Sequence, residues 1–528
     1  MKFFLISIFF FTSIIFSNEN SNHIFYLIQQ KKYKSAISAY QKIFKNDDFE
    51  ILRKIALIIL NEGSKSDNKE KIYISLFGAG ISGSSKTIEI LKKGLLSDNL
   101  YFQLTALHFL STIEDETATS LLLEAVNSNF IETRFQAVYS LAIKKHPSAI
   151  KEIELLMGKL NKFFKPYFPH LFALIGTNES LIHLKNFLFD FDSNVRLETI
   201  LTIAKNKRDD LLSLLRKIDH GNIAEKEALI FCLGELKDSH SIDKIKKYSN
   251  DSTPTIKLAS LIALNKLENS QIEKIERLAQ NEDLYAINYL RNISFNEKIL
   301  LKFLKNKNKN IRLNAAISLL KKKNPLSINV IQEFLLEDDL IIYPSYSLGK
   351  TLECFQIIQN AKKRNLDLNQ SLKIKESLLK DAMSLKEDLF LSLAEKILNK
   401  KNLSLIPSIT SLLASKNSEK SISLLKKYSY KKDPITMDYC NLALYKIGKE
   451  GYDKYIKNCI ERYSRKAIKI KNFSNESIKN KNRFFIELLL TLAEKKEKES
   501  IRLLIYALKI CHPLNRYLIS GLLLKATE

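Results

Sequence analysis

A helical unit of about 30 residues recurs along this chain, and that repeat limits its fold more than any other feature. Three segments show it in register: SNVRLETILTIA (193–204), PTIKLASLIAL (254–264) and KNIRLNAAISLL (309–320). Val195, Ile256 and Ile311 align, as do Arg196, Lys257 and Arg312, then Leu197, Leu258 and Leu313. Successive anchors lie 61 and 55 residues apart, two units each. The units between them occupy 225–248 and 281–304, and earlier ones occupy 98–126 and 129–157. A single hairpin of this size cannot bury both apolar faces, so each unit must stack on its neighbours.

Each unit follows one grammar. Asp or Asn (Asp98, Asn129, Asn194) precedes the first helix, where its side chain can cap free N–H groups. An apolar stripe with Ala or Ser follows, then a short polar turn. Ile or Leu at helical spacing leads the second helix, as in Ile242 and Ile245, or Ile272, Ile275 and Leu278. Glycine (13) and proline (9) are sparse in 528 residues, which leaves few of the turns that a sheet protein needs.

The D-x-x-V-R-x-x-T start at Asp192 and the LGELKDSHSIDKI turn (233–245) resemble HEAT repeats of the armadillo type. They are most similar to the short bacterial repeats named after phycobilisome lyases. The resemblance implies an all-α fold, a right-handed α-α superhelix of stacked antiparallel hairpins, and no bilin chemistry. KKYKSAISAYQKIFK (31–45) resembles half of a tetratricopeptide repeat. The expected organisation is a signal peptide (1–17), a TPR-like cap (18–66), a HEAT-like array (67–340), divergent helical repeats (341–463), a basic loop (464–483) and a C-terminal helical cap (484–528). Within the divergent region, 340–363 is read as a helical hairpin interrupted by Pro344.

Lys2 followed by an apolar run from Phe3 to Phe16 is too short for a membrane span and fits an export signal. Two outcomes are open: cleavage near Ser17-Asn18, or an uncleaved anchor. The first expectation is a periplasmic or envelope-associated protein, with membrane contact only through an uncleaved N-terminal segment. The five cysteines do not make a disulfide framework; only Cys440 and Cys459 could meet, on facing helices of one hairpin, and whether they pair is open.

No residue pattern calls for catalysis, a cofactor or a metal. Gly78-Ala79-Gly80-Ile81-Ser82-Gly83 matches GxGxxG but lacks the strand before it, and reads as small residues between packed helices. None of the eight histidines precedes Glu, as the iron-binding HEAT hydroxylases would require. The formal charge is +25, with Lys outnumbering Arg 69 to 14, a bias that an AT-rich genome also produces. Basic residues recur on the second helices: Lys92, Lys93, Lys246, Lys247, Lys274, Arg277, Lys426 and Lys427. They form a candidate ladder for protein partners, acidic segments among them; ordinary solvated lysine is the competing reading. The expected function is a non-catalytic extracytoplasmic scaffold. A nucleic-acid-binding HEAT protein and an enzyme with an unrecognised site are the alternatives. Scarce Arg and absent Trp make nucleic acid the weaker partner.

Overall fold

The computed structural model describes residues 21–44, 47–337, 340–344, 347–358, 368–400, 404–431, 433–468 and 476–528. The expected signal peptide lies outside them, as do 469–475 of the expected basic loop. The fold is all-α, built of stacked antiparallel helical hairpins. It divides into two compact units, one of Ala142–Tyr428 and one combining Met1–Leu141 with Ser429–Glu528.

In the unit Ala142–Tyr428, the first helices of successive hairpins pack on one another. They are Phe168–Ile175, Ser193–Lys205, Ile223–Glu235, Pro254–Glu268, Leu284–Tyr289 and Lys309–Lys321. These helices bury most of their surface where they are central; in Pro254–Glu268 every residue from Leu258 to Asn265 is buried. Each Leu or Ile so placed contributes about 1.5–3 kcal/mol. Small residues bring the helices close: a Cβ on Gly234 would lie 2.9 Å from the Ala263 Cα. The second helices, such as Ile242–Tyr248 and Ile272–Gln280, are amphipathic and bury only one stripe.

The period reappears as side-chain bonds between neighbouring hairpins. Arg196 donates to Glu225 (2.6 Å), Ser408 to Glu376 (2.7 Å), Lys420 to Asp388 (2.7 Å) and Lys266 to Glu235, partners 29 to 32 residues apart. Two helix caps sit slightly off the expected residues. Asn99, not Asp98, caps Leu100–Leu110, and Asp192, not Asn194, caps Ser193–Lys205.

The region expected as a helical hairpin at 340–363 contains two strands instead. β1 (Ile341–Pro344) pairs antiparallel with β2 (Phe355–Ile358), from Ile341↔Ile358 to Pro344↔Phe355. Asparagines on the helix Lys309–Lys321 hold β2. Asn314 Nδ2 donates to the Phe355 carbonyl (3.1 Å), and Asn310 Oδ1 accepts from the Ile357 amide (2.9 Å). Those bonds satisfy backbone groups that the partner strand does not.

In the other unit, the two segments expected as end caps pack on each other. The helix Asn515–Thr527 lies against Phe49–Ser64 and Lys69–Ser82, and Tyr33–Ile43 packs on Lys498–Ile510. The GxGxxG stretch works as small residues between helices. A Cβ on Gly521 would lie 1.9 Å from the Gly78 carbonyl oxygen, and one on Gly80 would enter the Phe109 ring. Gly83, at φ 72°, ends its helix in the left-handed conformation. The Arg516 guanidinium sits 3.7 Å over the Tyr33 ring.

The expected basic loop is only partly a loop. The helix Glu476–Lys495 begins inside it. Among the described residues, no helix is long and apolar enough to cross a membrane.

Candidate functional site: a basic cleft above Asp438

The site begins with a carboxylate buried in a helix. Asp433 caps Pro434–Lys446 through the Thr436 amide (2.9 Å), with Pro434 in the first turn. Asp438, one turn further on, is fully buried. Gly448 (φ 76°) and Gly451 (φ 87°) turn the chain into Asp453–Ser464. That helix places Tyr455, Cys459, Arg462 and Tyr463 on one face, at the spacing of adjacent turns.

This face satisfies Asp438. Tyr455 donates its hydroxyl to Oδ1 (2.6 Å), Arg462 Nη2 donates to Oδ1 (2.8 Å), and the Tyr463 hydroxyl donates to Oδ2. The Arg462 guanidinium stacks within 5.8 Å of the Tyr455 ring and 5.5 Å of the Tyr463 ring. Burial first, then the Asp438 carboxylate, pushes the Tyr463 hydroxyl well above its ordinary value, so it remains a donor. Burial pushes the Cys459 thiol up to about 12, and Asp438 adds to the shift. Cys459 is therefore not a nucleophile at neutral pH.

Beyond Arg462 the chain forms a strap, and one buried side chain holds it. Asn515 Nδ2 donates to the Ser464 carbonyl (3.0 Å) and the Lys466 carbonyl (2.7 Å), while its Oδ1 accepts from the Ile468 amide (2.9 Å). The strap presents Arg465 and Lys466 over a cleft of about 750 Å³. Lys481 and Phe485 of the helix Glu476–Lys495 form another wall, with His512 and Pro434 beside them. Among the described residues, the lining contains no Asp or Glu. Asp438 offsets one cation, Arg462, from below, and Arg465, Lys466 and Lys481 remain to set the cleft's charge. A shallower cleft of about 650 Å³ shares Arg462 and Arg465 and also carries Glu461, which accepts from the Tyr506 hydroxyl (2.6 Å).

The sequence-predicted basic residues lie elsewhere; none of the eight lines either cleft. Lys92 and Lys93 stand on the helix Ile88–Leu95, where Lys93 donates to Asn61 (2.6 Å). Burial, aided by Lys65, lowers the Lys93 pKa. Lys246 pairs with Glu268 (3.1 Å). Lys427 pairs with Glu395 (2.6 Å) and lies over the Tyr428 ring. Lys247, Lys274, Arg277 and Lys426 are exposed. Three ladder members therefore bond to side chains of adjacent helices.

Cys440 and Cys459, the pair that could have formed a bond, are both free and buried thiols. Among the described residues, no three His, Cys, Asp or Glu side chains gather as a metal set. Sequence reasoning missed the cleft because its walls come from segments 434 to 512 that only folding brings together. Its one local signal was a clustering of the chain's scarce arginines at Arg462 and Arg465.

No family model and no curated protein matches the chain. Among solved structures, it is similar to a homology model of the full-length AP-3 complex in an intermediate open conformation, at 13% identity over 96% of this chain and 98% of that one, with TM-score 0.32. It is also similar to human deoxyhypusine hydroxylase in complex with glycerol (12% identity, 71% and 99% covered, TM-score 0.20). A third likeness is to Kap121p bound to Ste12p (10% identity, 94% and 61% covered, TM-score 0.26). At these scores the likenesses carry no functional argument.

Proposed function

We propose that the chain is a non-catalytic protein-binding scaffold, a HEAT-like helical array that holds an acidic segment of a partner protein, and that it works in the periplasm or at the cell envelope. One observation carries the reading: a cleft of about 750 Å³ lined by Arg462, Arg465, Lys466 and Lys481, with no carboxylate among its described lining residues. Its walls are fixed by the Asp438 network and by Asn515, so little ordering remains to oppose binding. Arg465 offers a planar fork that fits a carboxylate with two parallel bonds. The export signal supports the location, and the ladder lysines are the competing surface for the same acidic partner.

An acidic peptide, an oligoglutamate labelled with a fluorophore, tests this. Binding should weaken as salt rises, and Arg465→Glu with Lys466→Glu should reduce affinity by about tenfold or more. The companion variant carries Lys246→Glu, Lys247→Glu, Lys426→Glu and Lys427→Glu and should bind nearly as the unaltered chain does. If only the companion variant loses binding, recognition belongs to the ladder and the cleft assignment fails. Loss in neither variant would sink both.

A further inference from the structure

A separate surface in the unit Ala142–Tyr428 carries a different chemistry. The short 3₁₀ segment Lys162–Tyr167 exposes Phe163 (77% accessible), Phe164 and Tyr167, their rings 6.0–6.5 Å apart in series. The turn before the helix Ser193–Lys205 exposes Phe189 and Phe191, the latter entirely. An ion pair from Lys165 to Asp190 (2.5 Å) ties the two segments together. The Arg196 guanidinium then fixes the turn by donating to the carbonyls of Asp190 (2.5 Å) and Phe191 (3.0 Å). Five aromatic side chains therefore stand on two braced turns.

The segment that carries Phe163, Phe164 and Tyr167 is basic. From Leu155 to Asn178 the chain contains no Asp or Glu, yet it carries Lys159, Lys162 and Lys165. Three carboxylates of the adjoining elements have partners: Asp190 pairs with Lys165, Asp192 caps the helix Ser193–Lys205, and Glu154 meets His183 (2.9 Å). Lys159 and Lys162 are exposed.

We infer that this surface docks on an anionic lipid bilayer. Apolar rings that project from turns have no pocket walls to exclude water around them, whereas protein hot spots sit in well-packed, desolvated pockets. A bilayer interface accepts such rings individually, with Phe entering the acyl boundary and Tyr remaining at the headgroups. Exposed lysines beside them complement anionic headgroups. This docking is independent of the apolar run Phe3–Phe16, which would favour neutral and anionic membranes alike.

Sedimentation of the full chain with vesicles tests the inference. One set is phosphatidylcholine alone and the other an equimolar mixture with phosphatidylglycerol. The full chain should partition more strongly onto the anionic set. Phe163→Ser with Phe191→Ser should lower that partition at least tenfold, with an unchanged helical circular dichroism spectrum. Lys159→Glu with Lys162→Glu removes no apolar contact, and should lower the preference for anionic over neutral vesicles by about tenfold. Equal partition of the full chain onto both sets overturns the inference. So does a folded Phe163→Ser, Phe191→Ser variant that sediments as before, or one that loses only a cross-link to a protein.

Discussion

Asp238 shows how one side chain can hold two repeats together. It lies at the turn of its own hairpin and is buried, yet Arg216 reaches it from the preceding hairpin through two bonds, Nε to Oδ2 (2.9 Å) and Nη2 to Oδ1 (2.5 Å). Ser241 adds a third (2.5 Å). Burial pushes the carboxyl up, but the bonds from Arg216 and Ser241 and the Arg216 charge outweigh it, so its pKa lies below the usual range. A depressed folded value means that the stabilisation is present above the unfolded pKa of about 4 and disappears as pH falls through the folded value. Asp238→Asn should therefore lower Tm by about 3–6 °C at neutral pH. The gap from the unaltered chain should begin to narrow below about pH 4 and close as pH falls past the folded value. Thermal unfolding followed at 222 nm across pH checks this, and a gap that persists at pH 2 would show that lost packing, not lost charge, is responsible.

At the scale of elements, the hairpins were legible because their determinants are local. Val195, Ile256 and Ile311 recur at about two repeat lengths and each is buried on its first helix. What the repeat could not show is pairing without period. β2 is held by Asn310 and Asn314 from an earlier helix, so its strand character depends on partners about 40 residues away. The short β-branched and aromatic runs Ile341-Ile342-Tyr343 and Phe355-Gln356-Ile357-Ile358 were the available signal, hidden beside a helix-like stripe. The cleft escaped for the same reason, since Asn515 fixes a strap about 50 residues before it. The contact of Gly521 with Gly78 joins sequence positions farther apart still. That contact sets a prediction. Ending the chain after Tyr463 removes Asn515–Thr527 and uncovers Gly63 and Gly78, which meet Tyr517 and Gly521. Hydrogen exchange should then show 49–82 losing protection, while 193–336 keep theirs because each repeat depends chiefly on its neighbours. Full protection of 49–82 in the shortened chain would mean that the last helix only covers a unit that is stable without it.

For the molecule as a whole, the question is where such a chain can persist. Its five cysteines are free, buried thiols, and burial raises the pKa of each; those of Cys440 and Cys459 reach about 12 and that of Cys511 about 11. A thiol held this far from ionisation neither exchanges with disulfides nor oxidises readily. The absence of a disulfide framework is thus compatible with an oxidising compartment: stability comes from stacked apolar helices, and the thiols act as small core residues. The net charge of +25 adds attraction to anionic surfaces, strongest near a membrane and weakened by salt. Together with the apolar run Phe3–Phe16, these properties predict a protein beyond the inner membrane. The mature N-terminus should fall at or near Asn18, read by N-terminal sequencing of protein from envelope fractions. The protein should resist protease in intact cells and become sensitive once the outer layer is disrupted. Peptides containing Phe3–Phe16 in soluble cytosolic protein would contradict export. Recovery of the same peptides from membranes would instead make the run a retained anchor, with the helical array held at the bilayer.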